Sequence, residues 1–519
     1  MTARPDWRVI CDLAQIEPDT GVCADIDGNQ IAVFRVDGLV YAIDNGDPAS
    51  NANVLSRGIV GDVGGELVVA SPLFKHHFSL LTGRCLEEPG YCVGTYPCRV
   101  VSGTVQVLIR RAGRRLTRRR RLVVIGNGMA GMRAVEELLE AAPHLYEIEV
   151  FGAEPHGNYN RILLSPVLSG EKQVADIMLH PFAWYEENGV KLNAGDPVVE
   201  IDRVNRRVRS QRGHMAGYDR LLLATGSKPV LPVPGRGLPG VVTFRDLHDV
   251  SLMLEAARPR ARAVVIGGGL LGLEAANGLR CRGMEVTVVH LHQSIMERQL
   301  DPPAARLLQQ SLERRGIRFK LPATTADIVG DTRVNEVRFA DGSSVAADLV
   351  VMAIGIRPNI SLAVEAGIRC ERGVLVDDTM LTFDPSIYAV GECVQHRNLT
   401  YGLVAPLWEQ ARVCAAHLAE IGIPRYRGSL PSTHLKVTGI GVFSAGSLKE
   451  NGRSESLVFH DVQRGVYKRL IVEDDRVKGA VLYGDTTDGP WYAGLMAERR
   501  LIGPMRNRLL FGEMACRSP

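Results

Sequence analysis

Two stretches, Leu122-Val-Val-Ile-Gly126-Asn-Gly128-Met-Ala-Gly131 and Ala263-Val-Val-Ile-Gly267-Gly-Gly269-Leu-Leu-Gly272, decide the fold of this chain. Each runs from a short apolar strand through Gly-x-Gly-x-x-Gly into an amphipathic helix. In this pattern Gly126 and Gly267 permit the tight turn, and Gly128 and Gly269 let the backbone approach a pyrophosphate. Gly131 and Gly272 allow the helix to lie close on the strand. The phosphates then sit on a helix N-terminus, whose first N–H groups lack partners within the helix. One copy is weak evidence, since any strand–helix turn favours glycine. Two copies in the same context make an internal repeat of dinucleotide-binding units.

Working outward, residues 1–110 read as short strands with no helix-period stretch. Ile31–Val36, Asp37-Gly38 and Leu39–Ile43 form a hairpin with an Asp-Gly turn. Beyond Gly439 another strand meander is followed by a helical stretch from Trp491. The expected domains are 1–110, all β; 111–120, an Arg-rich linker; 121–245 and 371–428, a first dinucleotide domain in two parts; 246–370, a second; and 429–519, α+β.

The 519 residues suit several domains, and 45% hydrophobic with 23% charged residues excludes a disordered or fibrous chain. Net charge is +3, but eight of the twelve residues from Arg110 to Arg121 are arginine. The rest of the chain is therefore net acidic, and no nucleic-acid footprint remains. The run reads as a solvated linker, or alternatively as a docking strip for an acidic electron partner. No stretch approaches a membrane helix, and Met1 to Arg8 lacks the apolar core of a signal peptide. Ten scattered cysteines without a Cys-x-x-Cys point to a reduced, cytoplasmic protein and to no metal site.

Further motifs say what the two units hold. Ala224-Thr225-Gly226 ends one strand in a small-residue turn, and Gly391-Glu392 ends another with a carboxylate. This set resembles the two-dinucleotide-domain flavoprotein reductases related to glutathione reductase and ferredoxin reductases. The resemblance implies FAD in the first unit and NAD(P)H in the second. It implies that Glu392, where relatives carry Asp, accepts from flavin ribityl hydroxyls. It assigns Glu154 to the FAD ribose and makes Arg161 a candidate FAD-phosphate partner, with a surface ion pair as the alternative. Tyr159–Ser165 matches the segment that crosses the flavin, but Pro166 stands where many relatives put a lysine. Glu274 matches a glutamate near the nicotinamide and flavin rings and is the candidate catalytic residue. His290 ends the strand where an acid would bind an NAD ribose, leaving NADH versus NADPH open. Ala405–Gln410 begins a helix expected to point at the flavin, with Trp408 read as a core aromatic.

No Cys pair has the spacing of the disulfide-reducing relatives. In the first domain, Ser71-Pro-Leu-Phe74-Lys-His76-His77 resembles the second ligand loop of a Rieske [2Fe–2S] domain. Ser71 and Phe74 replace the Cys and His that a cluster needs. The loop Ala42–Pro48 has neither ligand, so the expectation is a Rieske-like domain with no [2Fe–2S]. With Val54–Asp62 and Val68–Lys75, it resembles the small subunit of assimilatory NAD(P)H nitrite reductases. Phe151–Pro155, Met296–Asp301, Tyr388–Val394, Tyr401–Pro406 and Lys436–Ala445 resemble the N-terminal half of the large subunit.

The expected fold is an α/β two-dinucleotide-domain flavoprotein reductase of glutathione-reductase type. It carries an N-terminal Rieske-like β domain and a C-terminal α+β domain. The resemblance implies an FAD-dependent NAD(P)H oxidoreductase passing electrons to a nitrate or nitrite reductase catalytic subunit or a small electron carrier. Nucleic acid and membrane are not among the expected partners. The alternatives are a ferredoxin or rubredoxin reductase of another pathway, and an NADH-sensing charge-transfer flavoprotein.

Overall fold

The computed structural model describes residues 7–517 except 27, 51, 89, 110–118, 232–236, 421–423, 430–431 and 438, with backbone only at 434–437. The first six residues, and the Arg-rich linker up to position 118, lie outside the described residues. The chain divides into two compact units. One comprises Met1–His156, Phe182–Gly226 and Ile360–Arg427, the other Gly157–Pro181, Ser227–Asn359 and Gly428–Pro519.

The first unit begins with small antiparallel sheets, order Trp7–Asp12, Thr104–Leu108, Cys98–Val101 in one and Thr95–Tyr96, Leu39–Asp44, Asn29–Val36, Thr20–Ile26 in another. The hairpin Asn29–Val36/Leu39–Asp44 turns on Asp37 (φ 50°) and Gly38 (φ 76°), the left-handed pair that a two-residue turn requires. Phe34, Leu55 and Phe78 fill one apolar cluster, and Ile31, Val33, Val105 and Val107 a second.

A five-stranded parallel sheet follows, ordered Val190–Ala194, Tyr146–Gly152, Arg120–Ile125, Arg220–Leu223, Ile387–Ala389. Its central strand is apolar throughout Leu122–Ile125 because both faces are covered. On one face Leu122 and Val124 pack with Met132, Val135 and Leu138 of helix Met129–Ala141, and with Leu407, Ala411 and Leu418 of helix Val404–Leu418.

The second unit repeats this plan. Its parallel sheet runs Val241–Thr243, Leu349–Met352, Arg262–Ile266, Glu285–Val289, Ile317–Lys320, again with the glycine-turn strand central. In both units a three-stranded antiparallel sheet immediately precedes the strand that neighbours the glycine-turn strand on its far side: Val198–Asp202, Arg207–Ser210, Met215–Gly217 before Arg220–Leu223 in the first and Thr325–Val329, Glu336–Phe339, Ser344–Ala346 before Leu349–Met352 in the second. The internal repeat is therefore one of topology as well as of glycines.

Segment Gly157–Pro181, which sequence places inside 121–245, groups with the second unit. The reason is packing on helix Leu270–Cys281. A Cβ at Gly278 would fall 2.7 Å from Leu168, so the glycine provides the notch this leucine fills. Arg282 then donates to the carbonyls of Leu168 (2.6 Å) and Val167 (3.2 Å), at the end of helix Leu164–Ser169.

The C-terminal five-stranded antiparallel sheet, Ser432–Val437, Ile440–Gly446, Arg476–Tyr483, Val466–Glu473, Ser454–Asp461, packs against helix Gly489–Ala497. Buried Asp301 fastens it to the second dinucleotide domain. The carboxylate caps helix Pro302–Arg314 and accepts from Tyr467 Oη at 2.6 Å and Arg469 Nη1 at 3.3 Å. Asp301→Ala removes a cap and leaves the Tyr467 phenol without its acceptor, while Arg469 keeps Glu450 and Ser456, so a loss of about 1–3 kcal/mol in chemical denaturation is expected. Asp301→Asn should lose less, because it still caps.

Candidate functional site

The two glycine turns have the same construction. Gly126 has φ 116° and Gly267 φ 122°, outside the comfortable range of other residues. A Cβ on Gly126 would lie 2.1 Å from the Ala224 carbonyl oxygen, and one on Gly267 2.3 Å from that of Ala353. Their N–H groups donate to Phe151 O and Val289 O, each at 2.8 Å. One turn further on, a Cβ on Gly131 would meet Gly126 O at 2.8 Å, and one on Gly272 would meet Gly267 O at 1.9 Å. Gly128 and Gly269 are the opposite case: each is the N-cap of its helix, with nothing within 4 Å of its Cβ position. A closed turn with an open face at a helix start is a seat for a pyrophosphate.

Around the first seat the structure assembles several residues singled out by sequence. Ala224 N–H donates to Ile125 O at 2.8 Å, and Thr225-Gly226 follows, with Gly226 at φ 65°. Gly391 (φ 93°) stands with its Cβ position 3.0 Å from Ala130, which brings Gly391-Glu392 against the first turn of helix Met129–Ala141. Glu154, partly buried, follows strand Tyr146–Gly152. Two residues given no role in the sequence reading complete the frame. Asn127 donates to His156 O (3.2 Å) and accepts from Tyr185 Oη (2.7 Å), bracing the turn from within. Gln410 is fully buried, and its Oε1 accepts from Gly391 N–H at 3.0 Å. Its Nε2 is buried without a hydrogen-bond partner among the described residues, as is the hydroxyl of Tyr401. An unsatisfied buried amide on the residue that holds Gly391 against the helix start fits a polar cofactor such as FAD. Trp408 differs from expectation: it is 45% exposed rather than core, with the Arg133 guanidinium 5.9 Å from its ring centroid. On this helix the buried face belongs to Leu407, Gln410, Ala411 and Cys414, which turns Trp408 outward.

In the second unit Ser165 Oγ donates to Glu274 Oε2 at 2.7 Å. Burial pushes the Glu274 carboxyl up to about 7, against the opposing pull of that hydrogen bond. Arg161 also lies in this unit, donating to Arg245 O at 3.0 Å with its guanidinium 5.2 Å from the Tyr159 ring centroid. The second seat, Gly267-Gly268-Gly269, is flanked by His290. Its Nδ1 accepts from Gly268 N–H at 3.1 Å, and its Nε2 lies 3.0 Å from Glu297 Oε2.

In the N-terminal domain Ser71 donates to Asp47 Oδ2 at 2.5 Å, both side chains fully buried. Phe74 is 57% exposed, and His77 pairs with Glu87 at 2.5 Å. Among the described residues no group of three His, Cys, Asp or Glu is placed to hold a metal. All ten cysteines are unpaired; burial pushes the Cys98 thiol up to about 12 and raises those of Cys393 and Cys414. No helix among the described residues is long and apolar enough to cross a membrane.

Comparison with known proteins agrees with this layout. Residues 120–417 match the pyridine nucleotide-disulphide oxidoreductase family, 6–108 a Rieske-like [2Fe-2S] domain, and 431–500 the rubredoxin NAD+ reductase C-terminal domain. The chain is 51% identical over 372 residues to a nitrite reductase [NAD(P)H] of Bacillus subtilis (strain 168), covering 72% of this chain and 46% of that one. It is 48% identical over 394 residues to the assimilatory nitrate reductase electron transfer subunit of the same organism, covering 76% and 51%. The chain thus spans about half the length of the curated relatives it matches. Among solved structures, the covalent putidaredoxin reductase–putidaredoxin complex matches with TM-score 0.69 and 26% identity, over 76% of this chain and 96% of that one.

The open space at Gly128 and Gly269 makes a clean test of the two seats. Gly128→Asp should fold yet lose flavin, and Gly269→Asp should keep flavin yet lose nicotinamide nucleotide, each by at least about tenfold through carboxylate–phosphate repulsion. Flavin absorbance and nucleotide titration of the purified variants check both.

Proposed function

The chain belongs to the pyridine nucleotide-disulphide oxidoreductase family, and on that premise we propose that it is an FAD-dependent NAD(P)H oxidoreductase that supplies electrons to a partner metalloenzyme of assimilatory nitrate or nitrite reduction. The observation that carries the reading is the pair of equivalent pyrophosphate seats in one chain. The nitrate or nitrite assignment rests on similarity to the two Bacillus proteins. FAD, held by Gly126, Gly128, Gly131, Glu154, Ala224–Gly226, Gly391 and Glu392, would take a hydride from the nicotinamide and release electrons singly. Gly267, Gly269 and Gly272 seat the nicotinamide nucleotide. Unpaired cysteines with raised thiols speak against a disulfide substrate and for a reducing, cytoplasmic setting. The match at residues 431–500 favours a rubredoxin-type carrier as the second reading, and partner reduction assays separate the two.

Glu274 is the catalytic candidate within this reading. A nicotinamide that gives up hydride becomes a cation, and an ionised carboxylate beside it stabilises that charge. With Pro166 following Ser165, no lysine stands in that place to hold the carboxyl ionised, and among the described residues its hydrogen bond comes from Ser165 alone. The group is therefore protonated below about pH 7 and charged above it. Anaerobic reduction of the flavin by nicotinamide nucleotide should accelerate as pH rises through neutrality. Glu274→Gln should be flat across that range and slower at pH 8 by about tenfold. A pH-independent wild type would remove the role. Linkage gives a second sign: the folded state holds this proton more tightly than the unfolded chain. Stability is thus greatest below the ordinary glutamate range and declines as pH rises toward 7, a decline the Gln variant lacks.

The Rieske-like domain is read as a docking or stabilising module with no [2Fe–2S] centre. What supports this is the substitution of Ser71 and Phe74 at two ligand positions and the Ser71–Asp47 hydrogen bond that ties the two loops instead. Purified protein should contain stoichiometric flavin but neither iron nor acid-labile sulfide. A reduced [2Fe–2S] signal in electron paramagnetic resonance would overturn this.

A further inference from the structure

In dinucleotide-binding units an acid at the end of the second strand, about 20 residues beyond the glycines, accepts from the adenosine ribose hydroxyls, while NADP-binding sites place a cation for the 2′-phosphate. Here strand Glu285–Val289 ends in His290. Its ring lies against the glycine turn, with the Gly268 Cβ position 2.9 Å from His290 Cγ. Because Nδ1 accepts the Gly268 N–H, that nitrogen bears no proton. The ring's proton is on Nε2 and is donated to Glu297 Oε2 at 3.0 Å. Both ring nitrogens of His290 are thus engaged within the protein, one by the glycine turn and one by Glu297, and neither is free to hold a 2′-phosphate.

The loop that brings Glu297 is itself stitched to the turn. Met296 N–H donates to Gly268 O at 3.0 Å, and Met296 has φ 51°. Gly268 is thus held on both sides, its N–H by His290 and its carbonyl by Met296, and Glu297 is the next residue. Burial opposes ionisation of Glu297, but hydrogen bonds from its own N–H and from His290, with His292 nearby, hold the carboxyl below the ordinary range. His292 Nε2 stands 3.9 Å from Glu297 Oε1, and the Glu297 side chain remains 34% exposed.

We propose that Glu297 is the ribose-reading residue of this seat, supplied from the following loop in place of the strand-end acid, and that it selects NADH over NADPH. This rests on the reading of Gly267–Gly272 as the nicotinamide nucleotide seat. The carboxylate accepts from a free 2′-hydroxyl and repels a 2′-phosphate, so the same group attracts one nucleotide and rejects the other.

The test compares reduction of the bound flavin by NADH and NADPH, and, in parallel, calorimetric binding of 5′-AMP against adenosine 2′,5′-bisphosphate. Wild type should prefer NADH in kcat/KM, and 5′-AMP in affinity, by about tenfold or more. Glu297→Gln should bring both ratios close to one, and Glu297→Arg should reverse them. Unchanged flavin content and thermal midpoint certify that each variant is folded. A wild-type preference for NADPH, with His292 or Arg298 as the cation, overturns the proposal, as does a ratio indifferent to Glu297. If neither nucleotide reduces the flavin, the oxidoreductase reading fails. The calorimetric ratio still decides the role of Glu297, because it requires no electron transfer.

Discussion

The absence of a side chain at Gly126 and Gly267 allows the carbonyls of Ala224 and Ala353 to come within about an atom's width of the turn. Those carbonyls end the strands Arg220–Leu223 and Leu349–Met352, which lie next to the glycine-turn strand in each sheet. Close approach there fixes three things together. The strand must neighbour the turn, the turn must carry positive φ, and the helix must start with its N–H groups facing open space. Gly131 and Gly272 extend the constraint by one helical turn, since a Cβ at either would strike the turn's own carbonyl. The rest of each domain follows from it. The antiparallel insertions leave and re-enter the sheet just before the strands that lead to those carbonyls, so they do not disturb this contact.

Features local in sequence were legible for that reason. Glycine spacing, the apolar run before it and the helix after it lie within a dozen residues, and steric exclusion explains each glycine. The hairpin on Asp37-Gly38 was legible on the same grounds. Contacts across long separations were not. Nothing near Gln410 says that its amide will hold Gly391, and nothing near Asn127 says that it will be braced by Tyr185. Segment Gly157–Pro181 is contiguous with the first unit in sequence, yet Leu168 finds its notch at Gly278, more than a hundred positions away. Trp408 shows the same limit in reverse. Its apolar character suggested burial, but the buried face of helix Val404–Leu418 is set by the helical positions of Leu407, Ala411 and Cys414.

The N-terminal domain carries its apolar core apart from the two loops that correspond to the iron-binding loops of Rieske proteins. Small metal-binding domains frequently draw their stability from the ion. Here two apolar clusters, around Phe34 and Phe78 and around Val33 and Val107, supply a core independent of those loops. The loops are then joined by a hydrogen bond between buried Ser71 and Asp47, with the second carboxylate oxygen taken by Ala49 N–H. A fully buried carboxyl is tolerable there because both its oxygens accept hydrogen bonds.

Glu274 presents the contrasting case, a buried carboxyl with, among the described residues, one hydrogen bond and no cation beside it. Two responses are open to such a group: to acquire a partner charge or to take up a proton. With proline after Ser165, the chain follows the second course, and the serine hydroxyl supplies a single donor that cannot outweigh burial. The carboxyl is thereby poised between its charged and neutral forms near neutral pH. A lysine partner would hold it charged at all physiological pH, and a glutamine would hold it neutral. The carboxyl stands on helix Leu270–Cys281, one turn beyond its Gly269 N-cap, so this switchable charge sits on the helix that opens at the second glycine turn. A carboxyl kept there with no counter-charge among the described residues is a stability liability, because burial disfavours its ionised form and no ion pair offsets the cost.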